Sequence, residues 1–342
     1  MTKEMIIAIL LFIVGLVLLI KGGDWFVDGA TGIAHRFHIP ELIIGATIVS
    51  IGTTLPEVMV SATAAIENHG EIAYGNAIGS IICNTALIAA LSIAIRPSGV
   101  KRSTFKIPVI FFFIAAAFYS FTAYFTGHFT RVHGIILLLI FVSYITFTII
   151  MTKKSLKKEK LENRDNPPTE ELPNDNETTQ EEKKSNKLVK DIVFLLIGAV
   201  CIAFGARLLV DNGTIIAREL GVPESVIALT FVALGTSLPE FVTAITSLVK
   251  GHSSLSFGNI IGANMFNLVF VSGVAITLNP FNVPTNSTLF GINSSLVLDI
   301  PLMFGVMLIL AVPALIKQKL SRWQGILLLI LYAAFCVIQF TL

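Results

Sequence analysis

Charge is what this chain has least of. Only 13% of its 342 residues are charged and 54% are hydrophobic, about half the charge of a soluble domain, which argues against a water-soluble globule. The three cysteines, Cys83, Cys201 and Cys336, fall singly inside apolar runs. Their spacing fits neither a disulfide framework nor a thiolate metal site. The six histidines all fall at the ends of apolar runs or between them, so nothing inside a run offers the Ser/His pair or imidazole cluster of an intramembrane hydrolase. The first apolar run lacks a small-x-small cleavage site and is too long for a leader's apolar region, so it is expected to stay as a helix. A formal net charge of +2 gives no reason to expect a nucleic-acid partner.

What the chain has is apolar runs long enough to cross roughly 30 Å of hydrocarbon. They lie near 5–23, 41–66, 72–95, 105–125 and 133–151, and again near 190–210, 224–249, 256–278, 295–316 and 323–341. The expected fold is an all-α polytopic membrane protein of ten transmembrane helices. Asp299-Ile300-Pro301 blurs the start of the ninth, and Asp299 reads as a helix-start residue. The expected division is a first five-helix repeat over 1–151, a charged linker over 152–189 and a second repeat over 190–342. The linker interleaves Lys and Glu around Pro167-Pro168 and reads as a disordered tether.

Lys and Arg are concentrated in 152–190, after the third and seventh runs and before the tenth, while the 279–294 loop has neither. The positive-inside rule therefore places the 152–189 loop in the cytoplasm and both termini outside. The expected location is the cell membrane, with lipid as the surrounding partner and no obligate protein partner evident.

The chain also repeats itself. Residues 45–57 read GATIVSIGTTLPE and 228–240 read ALTFVALGTSLPE; 18 residues after each Glu come GNAIGS (75–80) and GNIIGA (258–263), followed by Asn84 and Asn267. A constant offset of 183 aligns the copies without a gap from Gly22/Gly205 to Asn84/Asn267. Five spans per copy force the second copy to cross in the opposite sense. Such inverted repeats are the mark of secondary transporters, with a site near the midplane where the repeats meet.

The repeated residues suggest the chemistry of that site. Glu57 and Glu240 lie well inside their helices, where a charge costs roughly 2.5–3.5 kcal/mol on insertion scales. Pro56 and Pro239 lack an N–H, so the carbonyls of Gly52 and Gly235 lose their helical donors. Thr53 and Thr54 precede Glu57 by four and three residues, as Thr236 and Ser237 precede Glu240, which sets hydroxyls on the carboxylate's face. Ser80 and Asn84 are again four apart, and Gly75 and Gly79 offer a small face for close packing. Together these are oxygen ligands, suited to Ca²⁺ or Na⁺ rather than zinc or copper. One Ca²⁺, or about two monovalent ions, would neutralise the two carboxylates.

Paired G-[TS]-[TS]-x-P-E and G-x-x-G-[SA]-x-x-x-N phrases in two inverted halves resemble the α-repeats of the cation/calcium exchanger superfamily, in its bacterial sodium/calcium exchanger-like branch. The resemblance covers everything but the linker. It implies an antiporter, not an enzyme, exchanging Ca²⁺ for Na⁺ by alternating access, with the ions as substrates and no cofactor. It carries ion-binding roles to Glu57 and Glu240, to Asn84 and Asn267, and to the hydroxyls of Thr53, Thr54, Ser80, Thr236 and Ser237. Backbone carbonyls at Ser50 and Ala233 complete the implied set. Relatives that need K⁺ carry Asp at the position of Asn267, so Asn there implies K⁺ independence. Ala263 stands where a small hydroxyl is frequent. Proton-coupled members favour Gly-Asn-Ala-x-Glu, so this chain's phrase favours Na⁺; an H⁺-coupled Ca²⁺ antiporter using the same glutamates is the competing reading, and a passive cation channel a further one. The first and sixth helices, long and punctuated by Gly22, Gly23, Gly29, Gly205 and Gly213, are expected to slide or rock across the site. Asp28 and Asp211 read as interfacial caps, and Pro40-Glu41 and Pro223-Glu224 as helix starts.

Overall fold

The computed structural model describes residues 3–165, 177–221, 235–285, 288–289 and 291–341. Among these are ten helices: α1 Lys3–Arg36, α2 Glu41–Ile66, α3 Gly70–Ile95, α4 Arg102–Thr126, α5 Arg131–Asp165, α6 Glu177–Glu219, α7 Leu238–Val249, α8 Ser253–Leu278, α9 Ser295–Lys317 and α10 Arg322–Thr341. All but α7 are individually long and apolar enough to cross a membrane, and the expected 224–237 part of the seventh span lies largely outside the described residues. The protein is an all-α polytopic membrane protein.

Three elements differ in length from the sequence reading. Helix α1 runs 13 residues past the expected end at 23, because Gly22-Gly23-Asp24 does not stop it. Gly22 lies against the α6 backbone and Gly23 against the Val242 and Thr246 side chains of α7, and Lys250 Nζ pairs with Asp24 Oδ1 at 3.4 Å and Asp28 Oδ1 at 2.8 Å. The expected tether is helical at both ends, through Asp165 and from Glu177. Its Lys and Glu are strong helix formers. The middle of that segment, 166–176, lies outside the described residues.

Inversion is written into the contacts. A Cβ on Gly15 would meet Gly205 O at 2.9 Å, and one on Gly22 would meet Gly198 O at 3.0 Å. The offset of 183 turns Gly15 into Gly198 and Gly22 into Gly205, so the two contacts are images of each other across an antiparallel α1–α6 pair. A second image pair lies in the loops. Val100 N donates to Gln318 O and Val283 N to Gly127 O, both at 2.9 Å. Val100 and Val283 are again 183 apart, and both acceptors have left-handed backbone, φ 51° at Gln318 and φ 63° at Gly127. One contact belongs to the loops after α3 and α9, the other to the loops after α8 and α4, where β1 (His128–Phe129) pairs antiparallel with β2 (Phe281–Asn282). Thus the two stitches close opposite ends of the bundle.

Burial follows the same plan. Helix α8 is buried at every residue from Leu255 to Val269, while α1, α5, α6 and α10 turn Leu10, Leu139, Val200 and Ile330 outward, each at least 58% exposed. Apolar side chains exposed in such continuous bands face lipid. Crossing α2 and α8 touch backbone to backbone: a Cβ on Gly258 would run into Leu42 O, and one on Gly262 would lie 2.6 Å from Ala46 Cα.

Candidate metal centre

Helices α2, α3, α7 and α8 meet at the centre, and each is irregular there. Helix α2 contains a π-helical turn at Gly45–Val49 and carries Pro56 without breaking. Helices α3 and α8 each widen into a π-helical turn that opens on an asparagine, Asn84–Ala89 and Asn267–Val271. The turns occupy matched positions, and such bulges gather at functional sites because they redirect a side chain and loosen the backbone ladder. Helix α7 begins only at Leu238, so Thr236 and Ser237 sit on the turn before it, with Pro239 in its first turn. Irregular backbone at this depth is tolerated where it is packed in protein or lines a cavity.

Glu57 and Glu240 are both fully buried, and their carboxylates are close enough to interact electrostatically. Thr54 Oγ1 donates across the interface to Glu240 Oε1 at 3.3 Å. The other Glu240 oxygen, both Glu57 oxygens, the Ser237 hydroxyl and both amide atoms of Asn84 and Asn267 are buried without a hydrogen-bond partner. Each buried polar group left this way costs on the order of 1–3 kcal/mol. Their concentration at duplicated positions fits oxygens arranged for a cation. Two carboxylates are the only acids in this cluster, and the described residues hold no group of three His, Cys, Asp or Glu placed for a metal.

The remaining residues expected here divide into three groups. Thr53 Oγ1 lies 3.2 Å from Asn259 Oδ1 and 3.4 Å from Ser50 O, so it lines the centre while bonded to protein. Ser50 donates its own hydroxyl to Gly45 O at 2.6 Å and Asn259 O at 3.2 Å. Ser80 and Thr236 line a cavity of about 550 Å³ between α3, α9 and α10. Ala233 lies outside the described residues. Ala263 is fully buried, with only a methyl to offer.

Asn76 and Asn259, aligned by the offset, were visible in the repeated Gly-Asn phrases but carried no expected role. Asn76 Nδ2 donates to Glu57 O at 3.1 Å and Ser61 Oγ at 2.8 Å. Asn259 receives Thr53. Both amides brace α2, Asn76 from within its own half and Asn259 from the other half. Thr243 and Ser247, three and seven residues beyond Glu240, also present buried hydroxyls without partners. Their signal was helical spacing from the glutamate.

The sequence matches the family model described as Sodium/calcium exchanger protein over residues 7–150 and 190–341, leaving out the charged middle segment. It is 35% identical over 287 residues to the inner membrane protein YrbG of Escherichia coli, covering 81% of each chain. It is 29% identical over 350 residues to the sodium/calcium exchanger MaX1 of Methanosarcina acetivorans, covering 97% of this chain and 98% of that one. Its fold is similar to a solved structure of the sodium-calcium exchanger NCX_Mj soaked with Na⁺ and Sr²⁺, with TM-score 0.77 and 30% identity over 96% of this chain and 98% of that chain. With both halves matched, two buried glutamates at their meeting point and an inverted ten-helix frame around them, this chain belongs to the sodium/calcium exchanger protein family.

Proposed function

We propose that the protein is a secondary active antiporter that exchanges Ca²⁺ for Na⁺ across the cell membrane by alternating access, with both termini outside and residues 152–189 in the cytoplasm. The observation that carries this reading is the pair of buried glutamates surrounded by unpartnered oxygens at duplicated positions. Solved structures of NCX_Mj were soaked with Na⁺, Ca²⁺ and Sr²⁺, which supports the same class of cargo here.

Glu57 and Glu240 would bridge Ca²⁺ between the halves. Asn84, Asn267, Thr54 and Ser237 would supply neutral oxygens beside them, Ser80 and Thr236 the approach, and the carbonyls of Ser50 and Ala233 a Na⁺ position. Two carboxylates bear a charge near −2, which one Ca²⁺ or about two Na⁺ would offset. Mutually exclusive occupancy then couples the two fluxes. Glycines bring the α1 and α6 backbones together at Gly15–Gly205 and Gly22–Gly198, and the tightly joined pair suits a unit that slides across the four central helices. Asn267, neutral where a third carboxylate would draw in another monovalent ion, supports K⁺ independence.

The deciding experiment is radioactive Ca²⁺ uptake into proteoliposomes loaded with Na⁺, compared with an acid-inside gradient and with no gradient. Uptake driven by internal Na⁺ and lost in Glu240→Gln supports the exchanger. Uptake driven only by internal acid would replace it with H⁺ coupling through the same glutamates, and uptake without any counter-ion would replace it with a channel.

A further inference from the structure

A carboxylate that the duplicated motif does not explain stands in the membrane-spanning part of α9. Helix α9 opens with a π-helical turn at Ser295–Asp299, and Asp299 closes that opening turn just ahead of Pro301. Helix α4, the counterpart of α9 in the first half, contains no Asp or Glu, so Asp299 belongs to one half alone.

Asp299 is half-buried and lines the cavity of about 550 Å³ that reaches Ser80 and Thr236. At its other end the cavity includes Glu71, an exposed residue at the start of α3, on the face that carries both termini. Gln339 Nε2 donates to Asp299 Oδ1 at 2.9 Å and fixes the carboxylate from α10. No Lys, Arg or His stands among the described lining residues. A carboxylate in the opening turn of a spanning helix that faces a cavity, lacks a basic neighbour in its wall and is oriented by an amide is arranged for a mobile cation. The volume leaves room for an ion that keeps part of its water shell.

We propose that Asp299, oriented by Gln339, forms a separate binding subsite for a partly hydrated Na⁺ or Ca²⁺ in the wall of this cavity, between the face carrying the termini and the central glutamates. Its transport role rests on the exchanger reading, whereas cation binding at Asp299 does not. The subsite concentrates cations beside Ser80 and Thr236 and gives the second half a negative group outside its motif.

Cys336 lines the same cavity and provides a probe. In a Cys83→Ala/Cys201→Ala background, the full chain in lipid nanodiscs is treated with a cationic (trimethylammonium) or an anionic (sulfonate) methanethiosulfonate, and the Cys336 adduct is followed by mass spectrometry. The cationic reagent should be favoured roughly tenfold over its preference for a free thiol, as a cleft of one charge sign requires. Ca²⁺ or Na⁺, but not choline, should slow it; whichever ion does so more strongly is the preferred occupant. This protection should persist when Glu57→Gln and Glu240→Gln are added, which removes the central site. Asp299→Asn should abolish preference and protection together, and Asp299→Glu should restore both. A Cys336 that reacts with neither reagent, a preference unchanged by Asp299→Asn, or protection lost in the double glutamine variant would overturn the proposal. Should Asp299→Asn fail to fold, Gln339→Ala replaces it, and an undiminished cation preference and ion protection in that variant would equally overturn the proposal. Because no transport is measured, failure of Na⁺-driven uptake in the unmodified protein would sink the exchanger reading without deciding this one.

Discussion

The two halves share a motif but not a geometry. In the first half, α2 runs unbroken through Pro56 and both Glu57 oxygens are without a hydrogen-bond partner; in the second, α7 starts at Leu238 and Glu240 accepts a hydrogen bond from Thr54. The image of that bond would join Ser237 to Glu57, and it is not made. Thr54 is held inside α2 whereas Ser237 sits on the turn before α7, so the two hydroxyls are presented from different backbones. Two carboxylates in closely matched motifs are therefore held differently, one braced by protein and one with both oxygens unpartnered.

The comparison breaks most completely if either glutamate is neutralised. Glu57→Gln or Glu240→Gln should abolish Ca²⁺ uptake while leaving thermal unfolding near that of the parent. Removing one member of a buried charged set costs about 3 kcal/mol or more, roughly 100-fold in affinity. Retained transport in both variants would refute the site. Next in size is the α2–α8 crossing. Gly262→Ala drives a methyl into Ser50 Oγ and the Ala46 backbone, and overpacking of this kind costs about 1–3 kcal/mol; a detergent melting curve unchanged from the parent would show that the crossing is looser than described.

Smaller changes sharpen the contrast between halves. Asn267→Asp places a third carboxylate in the second half alone and should make Ca²⁺ transport respond to K⁺, whereas an unchanged K⁺ titration would remove Asn267 from the account of ion selectivity. Thr54→Ala deletes the bond to Glu240, worth about 1 kcal/mol, and should raise the Ca²⁺ KM about fivefold. Ser237→Ala should raise it less, since Ser237 holds no carboxylate. Equal shifts in the uptake assay would mean that the observed asymmetry has no bearing on binding.

Much of this was legible in the sequence, for physical reasons. Lipid demands long apolar runs, so the spans were readable, and a repeated Glu inside such runs had few structural explanations. Helix ends were less readable. Gly22-Gly23-Asp24 looks like a terminus until α6 and Lys250 are known to receive it. The linker's interleaved Lys and Glu read as a disordered tether, whereas the structure carries helix into it from both sides. Asn76 and Asn259 stood in view, but their bracing bonds to Ser61, Glu57 and Thr53 are cross-helix contacts that no local spacing announces. Asp299 does stand in the opening turn of α9, but its place in the wall of a cavity shared with α3 and α10 has no sequence signature of its own.

The image contacts at Gly15–Gly205 and Gly22–Gly198 have a thermodynamic corollary. If a transport cycle exchanges the conformations of the two halves, the states open to either face contain the same set of contacts with the roles swapped. Their energies then differ only through positions where the copies diverge, such as Thr54 against Ser237. Such a machine is nearly isoenergetic at its two ends and has no preferred direction of its own. The ion gradients on either side would decide which way the cargo moves, and reversing them would reverse the flow.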